Sequence, residues 1–221
     1  MRSSAPPTTV WLVRHAEANN PNQVLYGRLP RFHLSERGRE QAESVAAFFA
    51  DRPVAAIYTS PLLRARQTGR VIAQHHPEAT MHRSLLLHEV GSAWQGSEFA
   101  SLKPGFSTYE DRREPDDESI EDIQRRMIAF VERVRRRHPG QAVVAVSHGD
   151  PITILRLALS GRPVTHAAMR GPDYAGLCSV TEVTFPPGGE PQVSYLTVPG
   201  LADPSGGSTE GKLQAADEET T

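Results

Sequence analysis

Val10-Trp11-Leu12-Val13-Arg14-His15-Ala16-Glu17 passes from apolar to charged within a single residue. A short apolar run of this kind reads as a buried strand, which leaves His15 at its carboxyl end with Arg14 beside it. The carboxyl ends of strands are where open α/β sheets do their chemistry. A second run, Ala142 to Val146, breaks in the same way into Ser147-His148-Gly149-Asp150. Two histidines at two strand ends point to one shared site.

Working outward, strand and helix signals alternate, which predicts a three-layer α/β fold around a mostly parallel central sheet. Ser35 is a candidate cap for a helix whose apolar positions are Ala42, Val45, Ala46, Phe48 and Phe49, stopped by Pro53. Ala55 to Tyr58 reads as the next strand and Arg64 to His75 as the next helix, with Arg64 near its start. Leu85-Leu86-Leu87-His88-Glu89 is a third apolar run that turns polar abruptly, and it is read as another strand ending at Glu89. Residues 91–118 lack periodicity and form an excursion expected to lie over the site. Ser119 with Asp122 has capping-box spacing before an amphipathic helix carrying Ile123, Met127, Phe130 and Val134. Ile152 to Leu159 reads as a well-buried helix after His148. Val180 to Phe185 and Val193 to Val198 read as a closing hairpin. Residues 1–200 are thus expected to form one domain, followed by a disordered acidic tail at 201–221.

Composition narrows the function classes. The 221 residues carry a formal net charge of −2, which gives no basic footprint for nucleic acid. The single cysteine, Cys178, permits no intrachain disulfide and no thiolate metal cluster, so a cytoplasmic location is expected. No segment approaches the length of a membrane span. Of the remaining histidines, His75, His76, His82 and His88 come nearest to a cluster but lack the spacing of a zinc site. Ser60 and Ser147 lack the Gly-x-Ser-x-Gly elbow of a serine hydrolase.

The expected strand ends collect Arg14, His15, Arg64, Glu89 and His148. Guanidinium forks match phosphate oxygens, and imidazoles add donors, so the set reads as an oxyanion pocket for a phosphoryl group. There is no glycine-rich phosphate loop and no carboxylate pair suited to magnesium, so side chains alone are expected to handle the transition-state charge, without metal or cofactor.

Leu12-Val13-Arg14-His15-Ala16-Glu17 and Ser60-Pro61-Leu62-Leu63-Arg64-Ala65-Arg66-Gln67-Thr68 resemble the two signature motifs of the histidine phosphatase superfamily, the phosphoglycerate mutase-like branch 1. Val146-Ser147-His148-Gly149-Asp150 supplies a third motif and Leu87-His88-Glu89-Val90-Gly91 is similar to the acid motif. Gly27-Arg28 with Leu34 to Gly38, and Glu118-Ser119, resemble further family signatures. The resemblance spans about residues 9 to 185. It implies that His15 is the nucleophile, that Arg14, Arg64 and His148 hold the phosphate, and that Glu89 protonates the leaving oxygen, with Glu17 in reserve. Two departures stand out. Ala16 replaces the usual glycine after the nucleophile. Pro21 stands where the family often has asparagine, leaving Asn19, Asn20 or Asn22 to serve, with Asn20 the one carried forward as a phosphate contact. Gly27 and Gly149 either approach the ligand by backbone N–H or are purely conformational.

The expected activity is a metal-independent phosphomonoesterase acting on a small phosphorylated metabolite through a phosphohistidine. The alternatives are a cofactor-dependent phosphoglycerate mutase and, in a different class, a catalytically silent phosphate-binding module. Val90-Gly91-Ser92 after the acid, in place of the mutases' extended motif, favours hydrolysis. A small phosphorylated substrate is the expected partner, with neither nucleic acid nor membrane, and a homodimer is allowed. In the excursion, Lys103, Arg112 and Arg113 either meet an anionic substrate or face water. Trp94, Phe99, Phe106 and Tyr109 are read as packing the excursion down rather than lining a pocket.

Overall fold

The computed structural model describes residues 5–172 and 174–201, so the expected acidic tail lies outside the described residues apart from Leu201. The regular elements are β1 (Thr8–Arg14), α1 (Glu36–Phe49), β2 (Ala56–Thr59), α2 (Leu63–Ala73), β3 (Thr80–Arg83), α3 (Ile120–Arg137), β4 (Ala142–Ser147), α4 (Gly149–Leu159), α5 (His166–Met169), β5 (Val180–Phe185) and β6 (Gln192–Leu196). They build one sheet of order β3-β2-β4-β1-β5-β6. The first four strands in that order run parallel, while β5 and β6 add an antiparallel margin. This is the expected mostly parallel α/β architecture, including the closing hairpin.

Continuous apolar strands follow from burial on both faces. Val10 and Leu12 of β1 join Ile123, Met127, Phe130 and Val134 of α3 and Ile152 and Leu155 of α4 in one core. Trp11 and Val13 point the other way, into a second core with Ala42, Val45 and Phe49 of α1 and Ala65 and Ile72 of α2. Each large apolar side chain so buried contributes about 1.5–3 kcal/mol. The helix starts are set locally: Gly38 N–H donates to Ser35 Oγ at 2.9 Å. At α3, Asp122 N–H donates to Ser119 Oγ while Ser119 N–H donates to Asp122 Oδ2, so aspartate completes the capping box.

The central pair of strands positions the site. β1 leads into α1 beneath one face and β4 leads into α4 on the other, so two adjacent parallel strands diverge at their carboxyl ends. Such a switch point opens a crevice in doubly wound sheets. Register places Arg14 opposite Ser147, and His15 N–H donates to Ser147 O at 3.0 Å. The next residues, His15 and His148, therefore stand side by side with ring centroids 5.0 Å apart.

One element differs from the sequence reading. The third apolar run is not a strand: Leu85–Leu87 is a single 3-10 turn, and the strand is the preceding Thr80–Arg83. β3 is an edge strand paired only with β2, so it requires no apolar stretch. The leucines serve packing instead, with Leu87 fully buried beside α3 and Leu85 70% exposed. Glu89 thus follows a turn rather than ending a strand. The short α5 carries no periodic signal and is visible only in the structure.

The excursion is braced in part by its own side chains. Trp94 packs edge-on against Phe106 at 4.9 Å, lies under the Arg113 guanidinium at 3.3 Å, and donates its indole N–H to Asp111 O at 2.6 Å. Lys103 pairs with Asp111 at 2.5 Å and Arg112 donates to Pro115 O. Trp94 and Phe106 pack, and the cations Lys103, Arg112 and Arg113 are engaged within the excursion itself.

Candidate active site

His15 is 1% exposed. Its Nδ1 lies 2.7 Å from the carbonyl of Ala16. A carbonyl only accepts, so the ring proton sits on Nδ1 and the lone pair is on Nε2. That lone pair accepts from Arg64 Nε at 3.0 Å. Burial, followed by the charges of Arg64 and Arg14, holds the His15 pKa well below its ordinary value, which keeps the ring neutral.

Arg64 projects from the first turn of α2 and is fully buried. Its Nη2 donates to Gly27 O at 2.8 Å and approaches His148 Nδ1 at 3.2 Å, and its guanidinium lies 4.4 Å above the Tyr26 ring. Because His148 Nδ1 faces a donor, its proton belongs on Nε2, which stands 2.8 Å from Ser60 Oγ. Burial, then Arg64, lowers the pKa of His148 well below its usual value. Arg14 is 2% exposed, donates from Nη1 to Ala175 O at 2.9 Å, and lies over the Tyr174 ring at 5.2 Å. The chain thus gathers two buried guanidiniums and two neutral imidazoles at the switch point, beside the amino end of α4, where the helix dipole favours an anion.

Glu89 approaches this cluster from the other side, with Oε2 at 3.7 Å from His148 Nδ1 and 14% of the side chain exposed. Burial, then the neighbouring Asp150 charge, pushes its pKa up to about 7 against the opposing pull of Arg64 and Arg14. A carboxyl so tuned carries a proton near neutrality and can give it up. Its segment is clamped from behind. Arg28 Nε donates to Glu89 O at 2.8 Å, Arg126 Nη1 donates to Leu86 O at 2.8 Å, and Arg126 Nη2 reaches Glu89 O at 3.3 Å. Glu118 bridges both arginines, at 2.7 Å from Arg28 and 3.0 Å from Arg126, and accepts from Gly91 N–H. The same two arginines, after burial, hold His88 down to about 4.

Other expected residues fall elsewhere. Glu17, the reserve acid, accepts from Ser35 Oγ at 2.6 Å and serves the start of α1. Asn20 braces a loop, its Nδ2 donating to Val24 O and its Oδ1 accepting from Val24 N–H, which leaves one amide N–H of Nδ2 outside that pair. Gly27 contributes its carbonyl, to Arg64, at a positive φ of 39°. Gly149 makes room for a neighbour, because a Cβ there would stand 2.2 Å from the Tyr174 hydroxyl. The methyl of Ala16 turns into the apolar core, and its N–H donates to Thr68 Oγ1, which in turn donates to Arg64 O. The extra methyl therefore packs rather than crowding the anion site. The sequence gives no role in the cluster to Thr68, Tyr26 or the Arg28–Glu118–Arg126 clamp and sets Ser60 aside as a nucleophile, although Ser60, Thr68, Arg28 and Glu118 lie inside the motifs quoted above. Among the described residues, no group of His, Cys, Asp and Glu gathers in a way that could hold a metal ion, and no helix is long and apolar enough to cross a membrane.

The pattern of the histidine phosphatase superfamily (branch 1) matches residues 10–198. The uncharacterized protein Rv0525 of Mycobacterium tuberculosis is 39% identical over 188 residues, covering 80% of this chain and 90% of that protein. Phosphoserine phosphatase 1 of Hydrogenobacter thermophilus is 33% identical over 161 residues, covering 68% and 75% respectively. Among solved structures, Bacillus stearothermophilus YhfR superimposes with a TM-score of 0.74 at 25% identity, over 90% of this chain and 99% of that one. Mycobacterial glucosyl-3-phosphoglycerate phosphatase Rv2419c gives 0.69 at 25% identity, over 80% and 90%. With its buried Arg-His pair at the switch point and a family match that spans most of its length, this chain belongs to the histidine phosphatase superfamily, branch 1.

Proposed function

We propose that this protein is a phosphomonoesterase that hydrolyses a small phosphorylated metabolite through a phosphohistidine on His15, with no metal in the chemistry. The observation that carries this reading is the Arg64 Nε to His15 Nε2 contact of 3.0 Å, a neutral nucleophilic nitrogen already facing a permanent cation. When a phosphate ester enters, a phosphoryl oxygen takes over the Arg64 N–H, and Nε2 is released to attack phosphorus. The P–O bond to the alcohol breaks as Glu89 gives its proton to the departing oxygen, leaving phosphohistidine, alcohol and a carboxylate. Water then attacks the phosphorus while Glu89 takes back a proton, the P–N bond breaks, and phosphate leaves neutral His15. Arg14, Arg64 and His148 neutralise the equatorial oxygens in both steps, where preorganised donors act most strongly.

Relatives named as phosphoserine phosphatases in Hydrogenobacter thermophilus and Arabidopsis thaliana, the second described as metal-independent, support hydrolysis of a phosphate ester. The test is release of phosphate in the presence of a chelator from p-nitrophenyl phosphate and from a panel of phosphorylated amino acids, sugars, nucleotides and 3-phosphoglycerate. Turnover of at least one ester at an unchanged rate with chelator is expected. Isomer formation without phosphate release would instead establish a mutase, and silence on every ester would leave a phosphate-binding module.

A further inference from the structure

Three polar residues meet beside the cluster without a part in the steps above. Asp150 lies in the first turn of α4, two residues after His148. Its two carboxylate oxygens receive different phenols: Tyr174 donates to Oδ1 at 2.8 Å and Tyr109 to Oδ2 at 2.5 Å. Tyr109 belongs to the excursion and Tyr174 to the connection between α5 and β5, so one carboxylate ties two remote segments to the helix that follows His148. Charge-assisted bonds of this length are the stronger kind.

The surroundings are shaped for the tie. Tyr174 carries the Arg14 guanidinium over its ring, and the adjacent Ala175 accepts from Arg14 Nη1 while its N–H donates to Thr153 Oγ1 of α4. Gly149 leaves the space that the Tyr174 hydroxyl occupies. On the other side the excursion touches α5, where Arg170 donates to Phe106 O and His166 Nδ1 stands 3.4 Å from Glu110 Oε1.

We infer that Asp150 is a positioning residue for the phosphoryl transfer, fastening Tyr109 and Tyr174 to the start of α4 so that the excursion stays against the acid side of the cluster and Arg14 keeps its place. Its catalytic consequence rests on the proposed function, whereas its structural consequence does not. Asp150 also adds a negative charge near Glu89, whose other charged or titratable neighbours are Arg14, Arg64, His148 and Tyr109, with Arg28 and Arg126 on its carbonyl.

The experiment uses the full chain, with hydrogen–deuterium exchange and p-nitrophenyl phosphate kinetics run on Asp150→Ala, Asp150→Asn, Tyr109→Phe and Tyr174→Phe. Asp150→Ala is expected to raise exchange both in residues 106–111 and in 174–178 and to lower kcat by about tenfold or more, the effect of losing two charge-assisted bonds. Each tyrosine variant raises exchange in its own segment only. Asp150→Asn keeps the shape but loses the charge, so the alkaline limb of its kcat/KM profile moves to lower pH, a response that loosened packing alone does not produce. Should Asp150→Ala fail to fold, the Asp150→Asn and tyrosine variants carry the exchange comparison. Unchanged exchange in both segments, an unmoved limb in Asp150→Asn, or a rise in KM alone that makes Asp150 a substrate contact would overturn the inference. Absence of turnover in the wild type would defeat the proposed function instead, and the exchange measurements would still decide the role of Asp150.

Discussion

Arg64 Nε and His15 Nε2 lie 3.0 Å apart in a fully buried contact, so a permanently charged guanidinium donates to the nitrogen best placed to attack. The guanidinium cannot lose its proton, and the imidazole beside it is kept from gaining one. A phosphoryl oxygen that competes for the same N–H both frees the nucleophile and finds its first neutralising charge.

Arg64→Ala is expected to lower kcat by roughly 10²–10³, by analogy with loss of one preorganised oxyanion donor. Arg64→Lys restores little of it, because a lysine cannot reach His15, Gly27 and His148 from one planar fork. Steady-state kinetics decide this, and a decrease smaller than about threefold would take Arg64 out of the chemistry.

Glu89 is expected to set the pH dependence of turnover. Its carboxyl is raised to about 7, so the acid is protonated below that value and kcat/KM falls as pH rises through it. In Glu89→Gln this limb disappears, and turnover drops more for alkyl than for aryl phosphates, whose leaving groups need less protonation. The same shift has a stability counterpart. Between the usual value of 4.5 and about 7 the native carboxyl holds a proton that the unfolded chain has lost, so native stability declines across that window as pH rises. Glu89→Gln therefore gains stability relative to the wild type from about 4.5 to about 7 and no further. Denaturant melts at stepped pH reveal the trend, and a difference that is flat across the window contradicts it.

Removing the clamp should separate positioning from chemistry. Arg126→Ala leaves Glu118 without its bidentate partner, frees Leu86 O and leaves Glu89 O with Arg28 alone, so a loss of stability of about 1.5–3 kcal/mol is expected. Glu89 then wanders, kcat falls while the His15 phosphoenzyme still forms with aryl phosphates, and intermediate trapping alongside denaturant unfolding registers both effects. Wild-type values for stability and kcat would refute the clamp.

Gly38 in α1 is pressed against the first motif, where a Cβ would stand 2.0 Å from the carbonyl oxygen of Glu17. That obstacle is backbone and cannot swing aside. Gly38→Ala is expected to cost about 1–3 kcal/mol or more by overpacking, and a thermal melt equal to that of the wild type would show that the contact is looser than it stands.

The sequence makes the sheet and the heart of the cluster legible for a physical reason: β1 and β4 are buried on both faces, so their apolar runs are continuous and the first charged residue marks the strand end. The buried His15 and His148 inherit that clarity, and Arg64 follows β2 in the first turn of α2. Leu85–Leu87 misled because an apolar run records burial and not conformation, and a 3-10 turn against α3 buries Leu87 as well as a strand does. The short edge strand Thr80–Arg83 is too polar to announce itself. Asp150, Tyr109 and Tyr174 were invisible as a group, since their meeting depends on an excursion and a connection whose paths no periodicity encodes. Motif register singles out Asn20 without showing its local loop closure with Val24.

A covalent bond between phosphorus and the ring of His15 is the intermediate on which the hydrolysis depends, and rapid-quench labelling with a 32P-labelled ester detects it. Label that is stable in alkali, lost in acid, located on the peptide containing His15 and absent from His15→Ala is the predicted result. Multiple turnovers without any such label, or an acid-stable label on Ser60 or Ser147, would contradict it.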